Sequence, residues 1–242
     1  MRVLIACEFS GIVRDAFIAR GHDAWSCDLL PSEGKPLGYW YPEHYPPGHK
    51  LHDHQQHFMC DVREILPGGR TYHTMALEGQ APQWDLLIAH PPCTYLCRTS
   101  EQWLNKQPDR WQKMVDAVSF FKALLNAPVE RICIENPQPN SHAARLLGVK
   151  YTQAIQPNSF GDPATKRTCL WLKNLPPLVW QERDDLLGKQ QSVEPEFVYS
   201  KSTGRKWGKW FWESSMLQGE ARAKFRSKTF PGIANAMANT WG

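Results

Sequence analysis

The sequence predicts an α/β fold, a doubly wound and mainly parallel sheet with a small irregular lobe near its C-terminal end. Three observations lead there. Short apolar runs alternate with helical patterns through the first 175 residues, the order that puts helices on both faces of a parallel sheet. The runs are nearly uniformly apolar, as strands covered on both faces must be. Polar or reactive residues then follow five of the runs, at Glu8-Phe9-Ser10-Gly11, Asp28, Asp61, His90 to Cys93 and Glu135-Asn136-Pro137. Those are the strand ends at which such sheets bind ligands. A single acid at a strand end is most often a turn residue; five such ends together point to a cleft.

The first run, "RVLIAC", passes straight into Glu8. It is too short for a signal peptide and has no small-residue cleavage site, so it reads as a strand. "IVRDAFIARG" follows as an amphipathic helix closed by Gly21. "DAWSCDLL", "HFMCDV" and "WDLLIAH" supply a second, third and fourth strand, the first two ending near Asp28 and Asp61. "DRWQKMVDAVSFFKALLNA" carries Met114, Val115, Val118, Phe121, Leu124 and Leu125 at helical spacing behind Pro108, a position where proline is tolerated. "VERICIEN" is a fifth strand, "SHAARLLG" a short helix begun by Ser141, and "YTQAIQ" and "RTCLWL" two further strands. Residues 1–175, completed by 229–242, are expected to form the main domain, with 176–228 as the lobe.

Composition narrows the setting. A chain of 242 residues suits one large domain, or one domain with a small lobe. Hydrophobic residues make up 42% and charged residues 21%, ordinary for a soluble globular protein. No apolar run approaches the ~18 residues of a membrane span, and a cytoplasmic protein is expected. Seven cysteines, mostly within or after apolar runs, suit reduced thiols better than a disulfide framework. Cys93 and Cys97 stand four apart without a second pair, so no structural zinc is expected. Residues 31–57 are rich in Pro, Gly, His and Tyr and read as a long loop of the functional kind. The loop's His44, His49, His52, His54 and His57 lack a Cys or Glu partner at a recognised spacing, so no metal is assigned.

Charge is uneven. Residues 196–228 hold eight Lys and Arg against three Glu, together with Trp207, Trp210, Phe211 and Trp212. Basic residues interleaved with aromatics suit a polyanion that offers bases to stack on. A solvated basic face with its aromatics turned inward accounts for the same pattern.

Two residues carry candidate chemistry. Cys93 stands behind "HPP" at the end of the fourth strand, where two prolines leave the backbone few conformations. A thiol there is either a small core residue or a nucleophile, and a nucleophile would need a lowered pKa or a concerted partner. Glu135, in "CIENP", follows the fifth strand. If the two strands are neighbours, thiol and carboxylate share a cleft suited to attack on an electron-poor ring. The plain alternative is a solvated carboxylate or a cap for the following helix.

At these residues the chain resembles the cytosine-C5 DNA methyltransferases. "FSG" (9–11) is similar to their first cofactor motif and "CDV" (60–62) to the motif after their third strand. "DLLIAHPPCTYL" (85–96) resembles the nucleophile motif and "IENP" (134–137) the "ENV" motif. "SFGDPATKRTCLWL" (159–172) and "FPGIANAMANTW" (230–241) resemble the two C-terminal motifs. The six follow the family's order over nearly the whole chain. The resemblance implies a Rossmann-like methyltransferase fold and S-adenosylmethionine as cofactor, bound by Phe9, Ser10, Gly11, Asp28, Asp61, Val62, His90 and Pro91. It implies that Cys93 attacks C6 of a flipped-out cytosine while Glu135 holds the N3 and amino edge. Lys166 or Arg167 would contact O2. DNA, duplex or single-stranded, is the implied partner; the oligomeric state is left open, a monomer being compatible with the sequence.

The departures are specific. His90 stands where the family has glycine, Thr94 where it has glutamine, and only about 55 residues replace a sizeable target-recognition domain. Three rivals follow from this: an enzyme acting on a free or single-stranded pyrimidine nucleotide or using a modified one-carbon donor, an amino-methyltransferase, and an inactive relative that only binds nucleic acid. "HPPC" lacks the aromatic residue of the amino-methyltransferase motif.

Overall fold

The computed structural model describes residues 1–33, 52–53, 56–77, 79, 83–180, 192–200 and 203–242. Most of the histidine-rich loop, with His44, His49, His54 and the His52 side chain, lies outside the described residues. In chain order the main elements are β1 (Arg2–Ala6), α1 (Ile12–Ile18), β2 (Asp23–Asp28), β3 (His52–Asp53), β4 (His57–Met59), α2 (Val62–Ile65), α3 (Arg70–Leu77), β5 (Leu86–Ala89), α4 (Asp109–Leu125), β6 (Arg131–Pro137), α5 (Ser141–Leu147), β7 (Gln153–Ile155) and β8 (Thr168–Lys173). The remainder are β9 (Phe197–Tyr199), β10 (Lys206–Gly208), α6 (Lys209–Met216), α7 (Gly219–Ser227) and α8 (Pro231–Trp241).

Among the described residues the main sheet runs β3-β4-β2-β1-β5-β6-β8-β7. The pairs β4–β2, β2–β1, β1–β5 and β5–β6 are parallel. From β1 the chain winds outward one way through β2 and β4, then returns to lay β5 and β6 on the other side. The order reverses between β1 and β5, the kind of place where the carboxyl ends of strands open a crevice. At the far edge β8 runs antiparallel to β6, and β7 antiparallel to β8, so the last two predicted strands close the sheet as a mixed edge.

Both faces are covered. Leu4, Ala6, Leu87, Ala89, Ile132 and Ile134 join one core with Met114, Val118, Phe121 and Leu124 of α4 and Leu147 of α5. The intervening Val3, Ile5, Leu86, Ile88 and Cys133 join the other, with Val13 and Phe17 of α1 and Ile233, Met237 and Trp241 of α8. Successive buried residues therefore join opposite cores with the period of two that pleating imposes, and the sequence accordingly shows no polar alternation. Burying each such Leu, Ile or Phe contributes about 1.5–3 kcal/mol.

Local expectations need three corrections. Val115, counted on the apolar face of α4, is 44% exposed. The cap of α5 is Asn140, whose side chain accepts from the Ala143 amide at 2.8 Å, and Ser141 is the first helical residue. Its hydroxyl goes instead to the Glu101 carboxylate. The lobe is not irregular throughout: β9 and β10 pair antiparallel and lead into α6 and α7. No helix among the described residues is long and apolar enough to cross a membrane.

At the start of α8, Gly232 donates its amide to Asp162 Oδ2 at 2.8 Å and lies against the Phe160 carbonyl, where a Cβ would collide. Gly232→Ala is expected to lower the unfolding free energy by about 1–3 kcal/mol, read as a drop in the thermal or urea midpoint. An unchanged midpoint would mean that α8 does not dock through this contact.

Candidate active site

A pocket of about 580 Å³ opens at the carboxyl ends of the strands, within the size range of ligand sites. Cys7, Phe9, Asp28 and Leu30 line it after β1 and β2; His90, Pro91, Pro92, Cys93, Thr94 and Cys97 after β5; Glu135, Asn136 and Pro137 after β6. Lys166 enters from the loop before β8, Arg110 from α4, and Arg222, Lys224 and Arg226 from α7. The candidate nucleophile and the candidate carboxylate thus share one cavity.

The pairing of β5 with β6 brings this about. Ala89 lies opposite Ile134, so the next residues, His90 and Glu135, emerge side by side. His90 Nδ1 lies 3.2 Å from Glu135 Oε2. Burial alone raises the Glu135 pKa, but the His90 hydrogen bond, the Lys166 and His90 charges and a hydrogen bond from Thr168 outweigh it and hold it below the usual carboxylate value. Glu135 is therefore an ionised acceptor at neutral pH, and His90 Nδ1–H is its donor. His90 Nε2 is buried without a hydrogen-bond partner among the described residues.

The turn carrying Cys93 is stitched to the segment after β6. Asn136 Nδ2 donates to the Pro91 carbonyl at 2.7 Å. The Arg98 amide donates to Gln138 O at 3.0 Å and the Asn140 amide to Leu96 O at 2.7 Å, and Cys97 bridges Pro139. The Pro-Pro step is rigid in itself, but these bonds fix its place. The neighbouring Cys97 sulfur, followed by burial, pushes the Cys93 thiol well above its ordinary value, while the Lys166 charge opposes the rise. The Cys93 sulfur in turn pulls Cys97 down to about 5, against the cost of burial and with help from Thr99, whose hydroxyl lies 3.1 Å from Cys97 Sγ.

The cofactor candidates separate into two groups. Phe9, Asp28, His90 and Pro91 line the pocket; Ser10, Gly11, Asp61 and Val62 are not part of its lining. Burial raises the Asp28 pKa, offset in part by the Leu30 amide, which donates to Oδ1 at 3.0 Å. Asp61 caps α2 through the Arg63 amide and pairs with the Arg63 guanidinium, and Val62 is in the core. Gly11, at φ +73°, precedes α1. The amides there are occupied by Glu8, which the sequence placed only at the strand end: buried, it accepts from Val13 N at 2.7 Å and Arg14 N at 3.3 Å. The first turn of α1 therefore serves the protein's own carboxylate.

Of the two basic candidates, Lys166 belongs to the pocket and Arg167 does not. Arg167 turns to Tyr151 Oη at 3.1 Å. Lys166 Nζ donates to the Arg226 carbonyl at 3.0 Å and lies 5.6 Å from the Trp210 ring and 5.9 Å from that of Phe230. It ties α7, which has no buried residue of its own, to the catalytic end of the sheet. A second tie joins Lys228 Nζ to Glu33 Oε2 at 2.5 Å. The lobe's aromatics divide: Trp210 packs against Phe225 and Phe230, whereas Trp207 stacks on Phe211, which is itself exposed, with Arg205 over its ring. The inward-turned reading thus holds for Trp210, while Trp207 and Phe211 form a stacked pair at the surface.

His57 is structural. It is fully buried, with Ser26 Oγ and the Leu30 carbonyl each 2.8 Å from a ring nitrogen. Among the described residues no three His, Cys, Asp or Glu side chains group as metal ligands.

No known protein-family model matches the chain, and no curated protein does. Among solved structures it is similar to a protein described as a candidate DNA modification methyltransferase encoded within an E. coli prophage. The TM-score is 0.40 and the identity 15%, over 71% of this chain and 46% of that one, so this chain spans less than half of that protein's length.

Lys166→Met removes the hydrogen bond to Arg226 while keeping an apolar stem. Amide exchange in α7 should quicken, with exchange in β5 and β6 unchanged. Unaltered exchange in α7 would show that Lys166 does not hold it.

Proposed function

We propose that the chain is an S-adenosylmethionine-dependent methyltransferase acting on C5 of cytosine in DNA through a covalent Cys93 adduct. The observation that carries this is the convergence of Cys93, ionised Glu135 and Lys166 in one pocket, on three of the segments that resemble cytosine-C5 methyltransferase motifs.

The chain's own groups divide the work. Cys93 Sγ adds to C6 of the ring, and the charge that develops on the ring is met by Lys166, the nearby cation. Glu135, held as an acceptor by His90, takes a hydrogen bond from an exocyclic amino group. A pyrimidine with a carbonyl at that position would set oxygen against a buried carboxylate, and this supports cytosine over uracil or thymine. A base reaches such a pocket only when unstacked, at a cost of about a few kcal/mol. The basic face of α7, at the pocket's mouth, suits the phosphates that flank it.

The cofactor is supported by the acid-bearing end of the pocket. Asp28 offers a carboxylate to ribose hydroxyls, and Cys7, Phe9 and Leu30 offer an apolar wall. When bound, S-adenosylmethionine supplies an electrophilic methyl group. The α1 N-terminus, filled by Glu8, holds no part of it on this reading.

With radiolabelled S-adenosylmethionine and DNA, Cys93→Ser should abolish label transfer, and Glu135→Gln should reduce it about 10²–10⁴-fold. Trapping of 5-fluorocytosine DNA on Cys93 would exclude amino methylation; equal labelling by wild type and Cys93→Ser would overturn the proposal. Asp28→Asn should weaken cofactor binding about 10–100-fold by calorimetry, with unchanged affinity arguing against the assigned cofactor end.

A further inference from the structure

The β9–β10 hairpin has one packed face and one exposed face. The pairing sets Tyr199 opposite Lys206, Val198 opposite Trp207 and Phe197 opposite Gly208, and opposed residues of an antiparallel ribbon project to the same side. Val198 and Trp207 therefore share one face, where Trp207 stacks on Phe211 of α6 with ring centroids 5.7 Å apart. Phe197, Tyr199 and Lys206 share the other. There Tyr199 is 65% and Phe197 38% exposed, and Lys206 Nζ stands 3.7 Å from the centroid of the Phe197 ring. A single exposed apolar side chain is commonplace. Two aromatic rings beside a cation on one face of one strand are a patch of the kind that marks an interaction site.

The hairpin is rooted beside the pocket. The Glu196 amide donates to the Pro163 carbonyl at 2.9 Å, and the Lys209 amide donates to the Glu196 carbonyl at 2.9 Å. Gly208 lies against Thr165, whose hydroxyl would stand 3.0 Å from a Cβ there. The residue after Thr165 is Lys166, which lines the pocket together with Arg222, Lys224 and Arg226 of α7. The lobe thus carries cations both on the hairpin and at the pocket.

We propose that the exposed face of the hairpin stacks unpaired bases, and that the chain takes its DNA as a single strand. Side chains two residues apart on a strand stand about 6.5 Å apart, a separation that successive bases of an extended single strand can match. Every base has a π-face, so such stacking needs no particular sequence. In a duplex those faces are covered and only base edges are offered in the grooves, where neither ring can stack. Lys206, between the rings, suits the phosphate that joins two stacked bases. An unpaired strand also spares the cost of drawing a base out of a duplex into the Cys93 pocket. That the strand is DNA rests on the proposed methylation of cytosine in DNA; the stacking does not.

The test is fluorescence anisotropy of a short end-labelled oligonucleotide with the full chain and no cofactor. The oligonucleotide is offered as single-stranded DNA, as the matching duplex and as RNA of the same sequence. Single-stranded DNA should bind about tenfold or more tightly than the duplex. Tyr199→Ala should weaken single-strand binding about fivefold or more, and Tyr199→Phe, which keeps the ring, should restore it. Lys206→Gln should lower the slope of log affinity against log salt by about one. The comparison of strand forms needs no variant, so it stands even where a substitution disturbs the hairpin. A duplex bound as tightly as the single strand, Tyr199→Ala binding as tightly as the wild type, or RNA bound more tightly than DNA would overturn the proposal. Neither the cofactor nor Cys93 takes part in this assay, so it and label transfer can fail separately. Label on duplex DNA without single-strand binding would refute the stacking face alone. Single-strand binding without label would count against the methylation and leave the stacking face in place.

Discussion

The register between β5 and β6 is the constraint on which the rest of the site depends. Leu86 pairs with Arg131 and Ala89 with Ile134, so His90 and Glu135 leave the sheet at the same height. A slip of one residue would turn Ile132 and Ile134 to the opposite core and separate the His90–Glu135 pair. The register is secured by packing rather than by the polar groups it positions: Leu87 and Ala89 lie in one core, Leu86 and Ile88 in the other. The cost of burying Glu135 is thus met by a fold that is already determined.

Much of this was legible in the sequence, for a physical reason. Strands buried on both faces and helices at their own spacing leave strong signals, so β1, β2, β5, β6 and α4 stand where the apolar runs and periodicity place them. The sequence left open whether the strands before Cys93 and Glu135 are neighbours; the pairing of β5 with β6 brings the two into one pocket. Partnerships set by three-dimensional proximity were not legible. Nothing in "CEFSG" says that the Glu8 side chain turns back to occupy the amides of α1. Nothing in "CTYLC" says that Cys93 and Cys97 line the same pocket. "KR" at 166–167 offers two equivalent cations, and only the direction of the chain entering β8 decides that Lys166 faces the pocket and Arg167 faces Tyr151.

The lobe meets the catalytic end through few but specific contacts. Lys166 Nζ lies beside the Trp210 and Phe230 rings while bonded to the last turn of α7, and Lys228 reaches back to Glu33 beyond β2. Because α7 buries no residue, polar ties and the stacking of Phe225 on Trp210 keep it beside the pocket. Such ties weaken as ionic strength rises, whereas the sheet beneath them does not depend on salt.

The packing of α8 against α1 bears on how the chain is made. Val13 and Phe17 are covered by Ile233, Ala234, Met237 and Trp241, which the ribosome adds roughly 215 residues later. At about 5–20 residues per second, roughly ten seconds or more pass before that cover exists. For that interval the newborn sheet shows one greasy face, which closes only once α8 has been made.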